Sequence, residues 1–180
     1  MTDAVATRPT IRTQRLLLRP LALADAPRLA DLADDFEVVK TTGGMPFPYT
    51  LAEAERLVTR AAASDPAKTP MFAIDLVGEG PVGTLAFYEA GADALGPEVG
   101  YWLGRPYWGL GIGSEALVAT MDWVRADWGR RCIVACHQVE NDVSARVLVK
   151  AGFLHTGQVE PRPCKARGHD VPVRWMVWLA

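Results

Sequence analysis

Three glycines at alternate positions, Gly109, Gly111 and Gly113, stand between a strand-like run and an amphipathic run in the segment YWLGRPYWGLGIGSEAL, residues 101–117. Glycines let successive backbone N–H groups converge on one point. The start of a capped helix behind them adds N–H donors and roughly half a positive charge, so a phosphate group can be held there without lysine. A plain tight turn is the structural alternative, but it does not need three glycines in alternation. Gly111, Gly113 and Ala116 also satisfy the G-x-G-x-x-A spacing of dinucleotide-binding sheets. The context rejects that assignment. The preceding strand ends about five residues before the first glycine, and too little chain follows for a doubly wound sheet. A Walker A loop is excluded because Gly113 is followed by Ser114 where that motif requires lysine.

Two other clusters are weaker. Cys132, Cys136 and Cys164 are odd in number, and the spacing of the first pair fits neither a redox CxxC nor a zinc ribbon, so they read as idle or buried thiols and no metal site is expected. Arg162, Lys165, Arg167 and His169 make residues 160–170 locally basic, which suits either an acidic acceptor or a solvated loop.

The elements that must position these residues can be read in order. After a polar leader, residues 1–9, the run TQRLLLRPL at 13–21 predicts a strand broken at Pro20. A helix follows, with Asp25 as cap, Pro27 in its first turn, and Leu29, Leu32 and Ala33 on one face. Residues 41–50, with paired glycines, two prolines and two aromatics, form a pocket-lining loop. Thr50 and Glu53 then form a capping box for a helix over 51–63. Residues 71–77, 80–90 and 97–103 are rich in β-formers with short connections, which predicts an antiparallel meander. A helix over 113–128, a strand over 131–137, a helix over 142–150 and strands over 152–160 and 173–179 complete the chain. The whole is an α/β (α+β) domain spanning 1–180, a mixed and mostly antiparallel sheet of about six or seven strands with about four helices.

Composition narrows the partners. The chain has 180 residues, 49% of them hydrophobic, enough for one sizeable core. Nineteen Lys and Arg against 21 Asp and Glu leave a formal charge of −2, so no general field attracts nucleic acid or an anionic membrane. No signal peptide and no run of roughly 18 apolar residues is seen, and a cytoplasmic protein is expected. The apolar run 173–179 suits either a homodimer interface or an internal strand.

Taken together, E-V-G-Y-W-L, P-Y-W-G-L-G-I-G-S-E-A and N-D-V-S-A-R-V-L-V-K-A-G-F (141–153) resemble the GNAT superfamily of N-acetyltransferases, and within it the ribosomal-protein N-terminal-acetyltransferase-like branch. The likeness spans nearly the whole chain and includes T-Q-R-L-L-L-R-P-L and P-F-P-Y-T-L-A-E-A-E. That family's pyrophosphate loop has Gln or Arg, two residues, Gly, one residue, and Gly or Ala. Here Trp108 takes the first position, as is frequent in this branch, with Gly111 and Gly113 at the others.

The resemblance implies a sheet splayed near its centre with acetyl-CoA in the gap. Pantetheine would follow the free edge of Trp102, Leu103 and Gly104. The pyrophosphate would sit in the loop Trp108, Gly109, Leu110, Gly111, Ile112, Gly113 and Ser114, and Asn141 would bond the pantetheine arm or a water. Asn141 is equally placed to cap the helix after it.

The reaction implied is acetyl transfer to a primary amine, on a protein N-terminus or a small molecule. A free α-amine has a pKa of about 8 and a lysine about 10.4, so a base beside the acceptor is useful. Glu98 fills that role in such proteins, sharing a face with Gly100 and Trp102; an exposed edge carboxylate is the plainer reading. Many members protonate the leaving thiolate with a Tyr after the A-G-F segment, where this chain has Leu154, His155 and Thr156. Ser144 matches a Ser that the branch uses instead, and His155 is a weaker substitute. The missing Tyr keeps open a second class, an acyl-CoA-binding domain without catalysis. The tryptophans Trp123, Trp128, Trp175 and Trp178 read as packing residues.

Overall fold

The computed structural model describes residues 8–89 and 95–180. Residues 1–7 of the leader, and the Ala90 expected at the end of a strand, lie outside these. In chain order the strands are β1 (Ile11–Arg12), β2 (Leu16–Arg19), β3 (Met71–Leu76), β4 (Gly80–Tyr88), β5 (Glu98–Leu103), β6 (Cys132–Gln138), β7 (Leu154–Cys164) and β8 (His169–Leu179). The helices are α1 (Ala26–Ala33), α2 (Phe36–Val39), α3 (Leu51–Ala63), α4 (Ile112–Trp123) and α5 (Asp142–Lys150). All eight strands join one sheet in the order β1-β2-β3-β4-β5-β6-β8-β7.

The predicted meander forms with its short connections, and α3 starts at Thr50, whose side chain accepts from the Glu53 N–H. Four readings are corrected. The two-residue β1 raises the strand count to eight, and α2 is a further helix, opened by Asp35 accepting from the Glu37 N–H. Residues 124–128 leave α4 as a π-helical turn that ends on Gly129 in the left-handed region. Residues 160–170 are not a long loop: β7 runs to Cys164 and β8 resumes at His169. Pro161 and Pro163 are tolerated within β7 because it is the sheet's edge, where a missing N–H removes no ladder bond. Lastly, β8 is an internal strand, paired with β6 and β7, and its Val173, Met176 and Trp178 are buried within the chain.

Side chains alternate across the sheet, and each face has its own helices. On one face the core joins Leu16, Phe72, Leu85 and Ile133 to Ile112, Leu117 and Met121 of α4 and Leu148 of α5. Trp123 and Trp128 stack 5.5 Å apart and close this core against Phe72 and Phe87. On the other face, Leu29, Val38, Val39, Tyr49, Ala54 and Val58 pack the α1–α3 layer onto Trp102.

Candidate active site

The sheet is antiparallel throughout except between β5 and β6, and these two strands share a single registered pair, Glu98 with Val134. The Val134 N–H bonds the Pro97 carbonyl at 2.9 Å, and beyond this the strands part. On its other side β5 is paired along its whole length with β4, and the Gly104 N–H continues that ladder to the Val82 carbonyl at 2.9 Å. Antiparallel alternation therefore turns the backbone groups of Gly100, Trp102 and Gly104 toward β4 and those of Tyr101 and Leu103 into the gap. Of the three residues expected along the free edge, Leu103 presents its backbone there. Its carbonyl accepts the Trp108 indole N–H at 2.8 Å.

The glycine loop sits at the mouth of the gap. Gly109 and Gly111 have φ of +75° and +78°, a region that costs other L-residues roughly 1–2 kcal/mol. Gly113 meets Leu103 and Val147 instead, where a Cβ would make ordinary contacts at 3.6 and 3.8 Å. The expected cap on this helix is absent. Side chains cap α2, α3 and α5, but α4 begins at Gly111 with none, and its first backward bond runs from the Glu115 N–H to the Gly111 carbonyl at 3.0 Å. The N–H groups of Ile112, Gly113 and Ser114 are thus left for a ligand or water. Glu115 turns away from them, accepting from Thr13 Oγ1 at 2.6 Å and Arg15 Nε at 2.7 Å, while Arg15 Nη1 holds the Leu110 carbonyl at 3.0 Å. Trp108, Leu110 and Gly109 are exposed and Ile112 is buried under the loop.

On the α1–α3 face, Glu98 does not face solvent. Arg162 Nη1 lies 2.8 and 2.9 Å from its two carboxylate oxygens, and Cys136 Sγ is 3.5 Å from Oε1. Burial and the Glu98 carboxylate push the Cys136 thiol up to about 12, so it is no thiolate at neutral pH. Burial opposes the Arg162 charge, and the hydrogen bond to Glu98 more than offsets this, holding the guanidinium above its usual value. Trp175 packs against Arg162: the guanidinium lies 5.1 Å from its ring centre, and its indole N–H bonds Glu160 Oε1 at 2.7 Å. The rest of the expected basic patch is partly neutralised, since Arg167 pairs with Glu140.

On the α4–α5 face, Tyr101 reaches 43 residues along the chain to Ser144, with 2.9 Å between the hydroxyl oxygens. Burial pushes the Tyr101 phenol up to about 12. Asn141 is the helix cap, its Oδ1 accepting from the Ser144 N–H at 3.0 Å. His155 is exposed on the edge strand, with its ring 6.2 Å from that of His137. Sequence reasoning missed Tyr101 and the pairing of Arg162 with Glu98. The first had a signal, because odd positions of β5 share the face that packs on α5.

The two loops expected to shape the acceptor side do meet. The Lys165 N–H bonds the Gly43 carbonyl at 3.1 Å, and Gln138 Nε2 bonds the Lys40 carbonyl at 2.7 Å.

The sheet thus parts at its one parallel pair, with an uncapped helix start at the mouth of the gap. Residues 15–154 match the acetyltransferase (GNAT) domain family, and the chain belongs to that family of acetyltransferases. It is 30% identical over 166 residues to the uncharacterized N-acetyltransferase p20 of Bacillus licheniformis, covering 91% of this chain and 92% of that one. Its fold is similar to Mycobacterium smegmatis RimJ in complex with CoA-disulfide, with TM-score 0.81 and 23% identity over 96% of this chain and 88% of the other. It is also similar to RimL, a ribosomal-protein alpha-N-acetyltransferase in complex with coenzyme A, with TM-score 0.79 and 20% identity over 95% and 98% of the two chains. No helix among the described residues is long and apolar enough to cross a membrane.

Proposed function

We propose that the chain moves an acetyl group from acetyl-CoA to a primary amine by direct attack, with Glu98 as base. The observation that carries this reading is the opening between β5 and β6 beside the uncapped start of α4. Membership of the acetyltransferase family and the coenzyme A in the RimJ and RimL structures support the choice of cosubstrate.

The residues fit such a molecule. The N–H groups of Leu110 to Ser114 would meet its pyrophosphate, and the outward backbone of Tyr101 and Leu103 would pair with its pantetheine amides. Acetyl-CoA supplies a thioester carbonyl and a thiol leaving group of pKa about 8.5. Glu98 takes the proton the attacking amine must lose, and Arg162 fixes the direction of its carboxylate. Ser144, hydrogen-bonded to Tyr101, returns a proton to the leaving sulfur in this reading. Cys136 stays protonated, which disfavours an acetyl-cysteine route and favours direct transfer. The alternative of a non-catalytic binding domain rested on a missing tyrosine, and Tyr101 now supplies a phenol at Ser144.

Calorimetric titration with acetyl-CoA, beside CoA and NAD, tests the cosubstrate. Saturable binding of acetyl-CoA and none of NAD is expected; absence of binding overturns the reading. Glu98→Gln should then slow thiol release about 10²- to 10⁴-fold while leaving acetyl-CoA affinity nearly unchanged.

A further inference from the structure

The pairing of Glu98 with Arg162 raises a problem for an ordinary amine. At neutral pH the acceptor arrives as an ammonium ion, and the carboxylate that must receive it already holds a guanidinium 2.8 Å away. An incoming cation would have to share Glu98 with a second, half-buried cation, and at that range two like charges repel strongly in a partly desolvated site. Arg162 is not free to swing aside. It is stacked on Trp175, which is itself fixed by Glu160, and its Nη1 also reaches Cys136 Sγ at 3.4 Å. All its hydrogen bonds use one nitrogen, Nη1. Among the described residues nothing accepts a hydrogen bond from Arg162 Nη2 or Nε, and the side chain keeps 38% of its surface exposed. A planar guanidinium edge with two unused donors is shaped to receive a carboxylate in a fork.

We propose that the acceptor is a free amino acid, whose carboxylate docks on the open edge of Arg162 while its amine meets Glu98. This rests on the acetyltransferase reading above and names its substrate class. A zwitterion carries both charges in the order the site needs. Its amine nitrogen lies two bonds, roughly 2.5 Å, from the carboxylate carbon, so one small molecule can set an amine beside Glu98 and a carboxylate beside the adjoining Arg162. The Glu98–Arg162 pair is kept and two ion pairs are added, so the acceptor's own carboxylate offsets the like-charge repulsion. The ammonium gives its proton to Glu98 and the freed nitrogen forms a bond to the thioester carbonyl carbon. The carbon–sulfur bond breaks, and sulfur leaves as the thiol. The balance is amino acid ammonium plus acetyl-CoA to N-acetyl amino acid, CoA thiol and one proton released to solvent.

The test compares kcat/KM for thiol release with each common L-amino acid and with its carboxamide, which keeps the amine and removes the negative charge. The wild-type protein should favour at least one amino acid over its amide by about tenfold or more. Arg162→Gln should shrink that ratio to below about threefold, and Arg162→Lys, which keeps the charge and loses the fork, should recover part of it. If Arg162→Gln does not fold, the wild-type and lysine ratios still decide. Amides used as well as amino acids, or a glutamine variant that slows both alike, would overturn the proposal. A protein that binds acetyl-CoA but turns over no amino acid overturns it too, whereas failure to bind acetyl-CoA removes the underlying reading with it.

Discussion

Gly111→Ala separates the conformation of the glycine loop from its mere presence. Gly111 has φ of +78°, and a Cβ built there would find room, the nearest atom being Arg15 Nη2 at 3.5 Å. The penalty is therefore backbone strain, roughly 1–2 kcal/mol for an L-residue in the left-handed region. It can appear in two ways. A loop that keeps its shape loses that much folding stability, whereas a loop that relaxes to negative φ turns its N–H groups away and must pay the cost when acetyl-CoA binds. In the second case affinity falls about 5- to 30-fold. The two losses should sum to the same 1–2 kcal/mol, measured by urea unfolding and by calorimetric titration of the same preparation. Gly113→Ala is the control, because its Cβ would make only ordinary contacts with Leu103 and Val147 and its backbone is unstrained. It should bind acetyl-CoA as wild type does and gain up to about 1 kcal/mol from helix propensity. The reasoning fails if Gly111→Ala changes neither quantity, or if Gly113→Ala weakens binding as much.

Three further variants have expected outcomes. Arg19 forks onto buried Asp25 at 2.8 Å twice and reaches Asp75 at 2.7 Å, so Arg19→Met should destabilise the protein by about 3 kcal/mol, the lower end for a broken buried pair because Arg19 is partly exposed. Burial alone would raise the Asp25 pKa, but the Arg19 fork and the Ala22 N–H hold it below its usual value. The unfolded chain thus binds more protons as pH drops through the carboxylate range, so this stability is present above about pH 4 and lost below it. Asp25→Asn should flatten the acid limb of a urea midpoint against pH profile; an unchanged limb counts against the pairing. Cys136→Ala should keep thiol release within about threefold of wild type, since a thiol pushed up to about 12 is no nucleophile at neutral pH. Intact-mass analysis after mixing with acetyl-CoA alone should find no acetylated protein, and a stoichiometric adduct lost in that variant would reverse the mechanism.

What the sequence made legible is local. Thr50 and Glu53 mark the start of α3 because a cap is a contact between residues three apart. The alternating glycines mark the loop because positive φ is a property of single residues. Faces are legible as well, since even and odd positions of β5 follow from strand period. Partners are not. Glu98 and Arg162 lie 64 residues apart, and nothing in either segment says that the edge strand will bring a guanidinium over that carboxylate. The full extent of β7 is hidden for a related reason: whether Pro161 breaks a strand or borders a sheet depends on which strand ends up outermost. The four-residue α2 is too short to show a period, and only Asp35 signals it.

The same alternation lets a single strand serve both halves of the acyl transfer proposed above. Glu98 and Tyr101 are three residues apart on β5, an odd step, so they emerge on opposite faces of the sheet. Glu98 enters the layer made by α1–α3 and the β7–β8 hairpin, and Tyr101 enters the layer that holds Ser144 on α5. The gap between β5 and β6 runs between these faces. In the mechanism proposed above, a proton lost by the amine is received on one side, and a proton for the thiolate is delivered from the other. A site that used one residue as both base and acid would need the acceptor and the leaving group on the same face. Here the fold separates them, and this favours a single direct displacement across the sheet over a covalent acetyl-enzyme that must be approached twice from the same side.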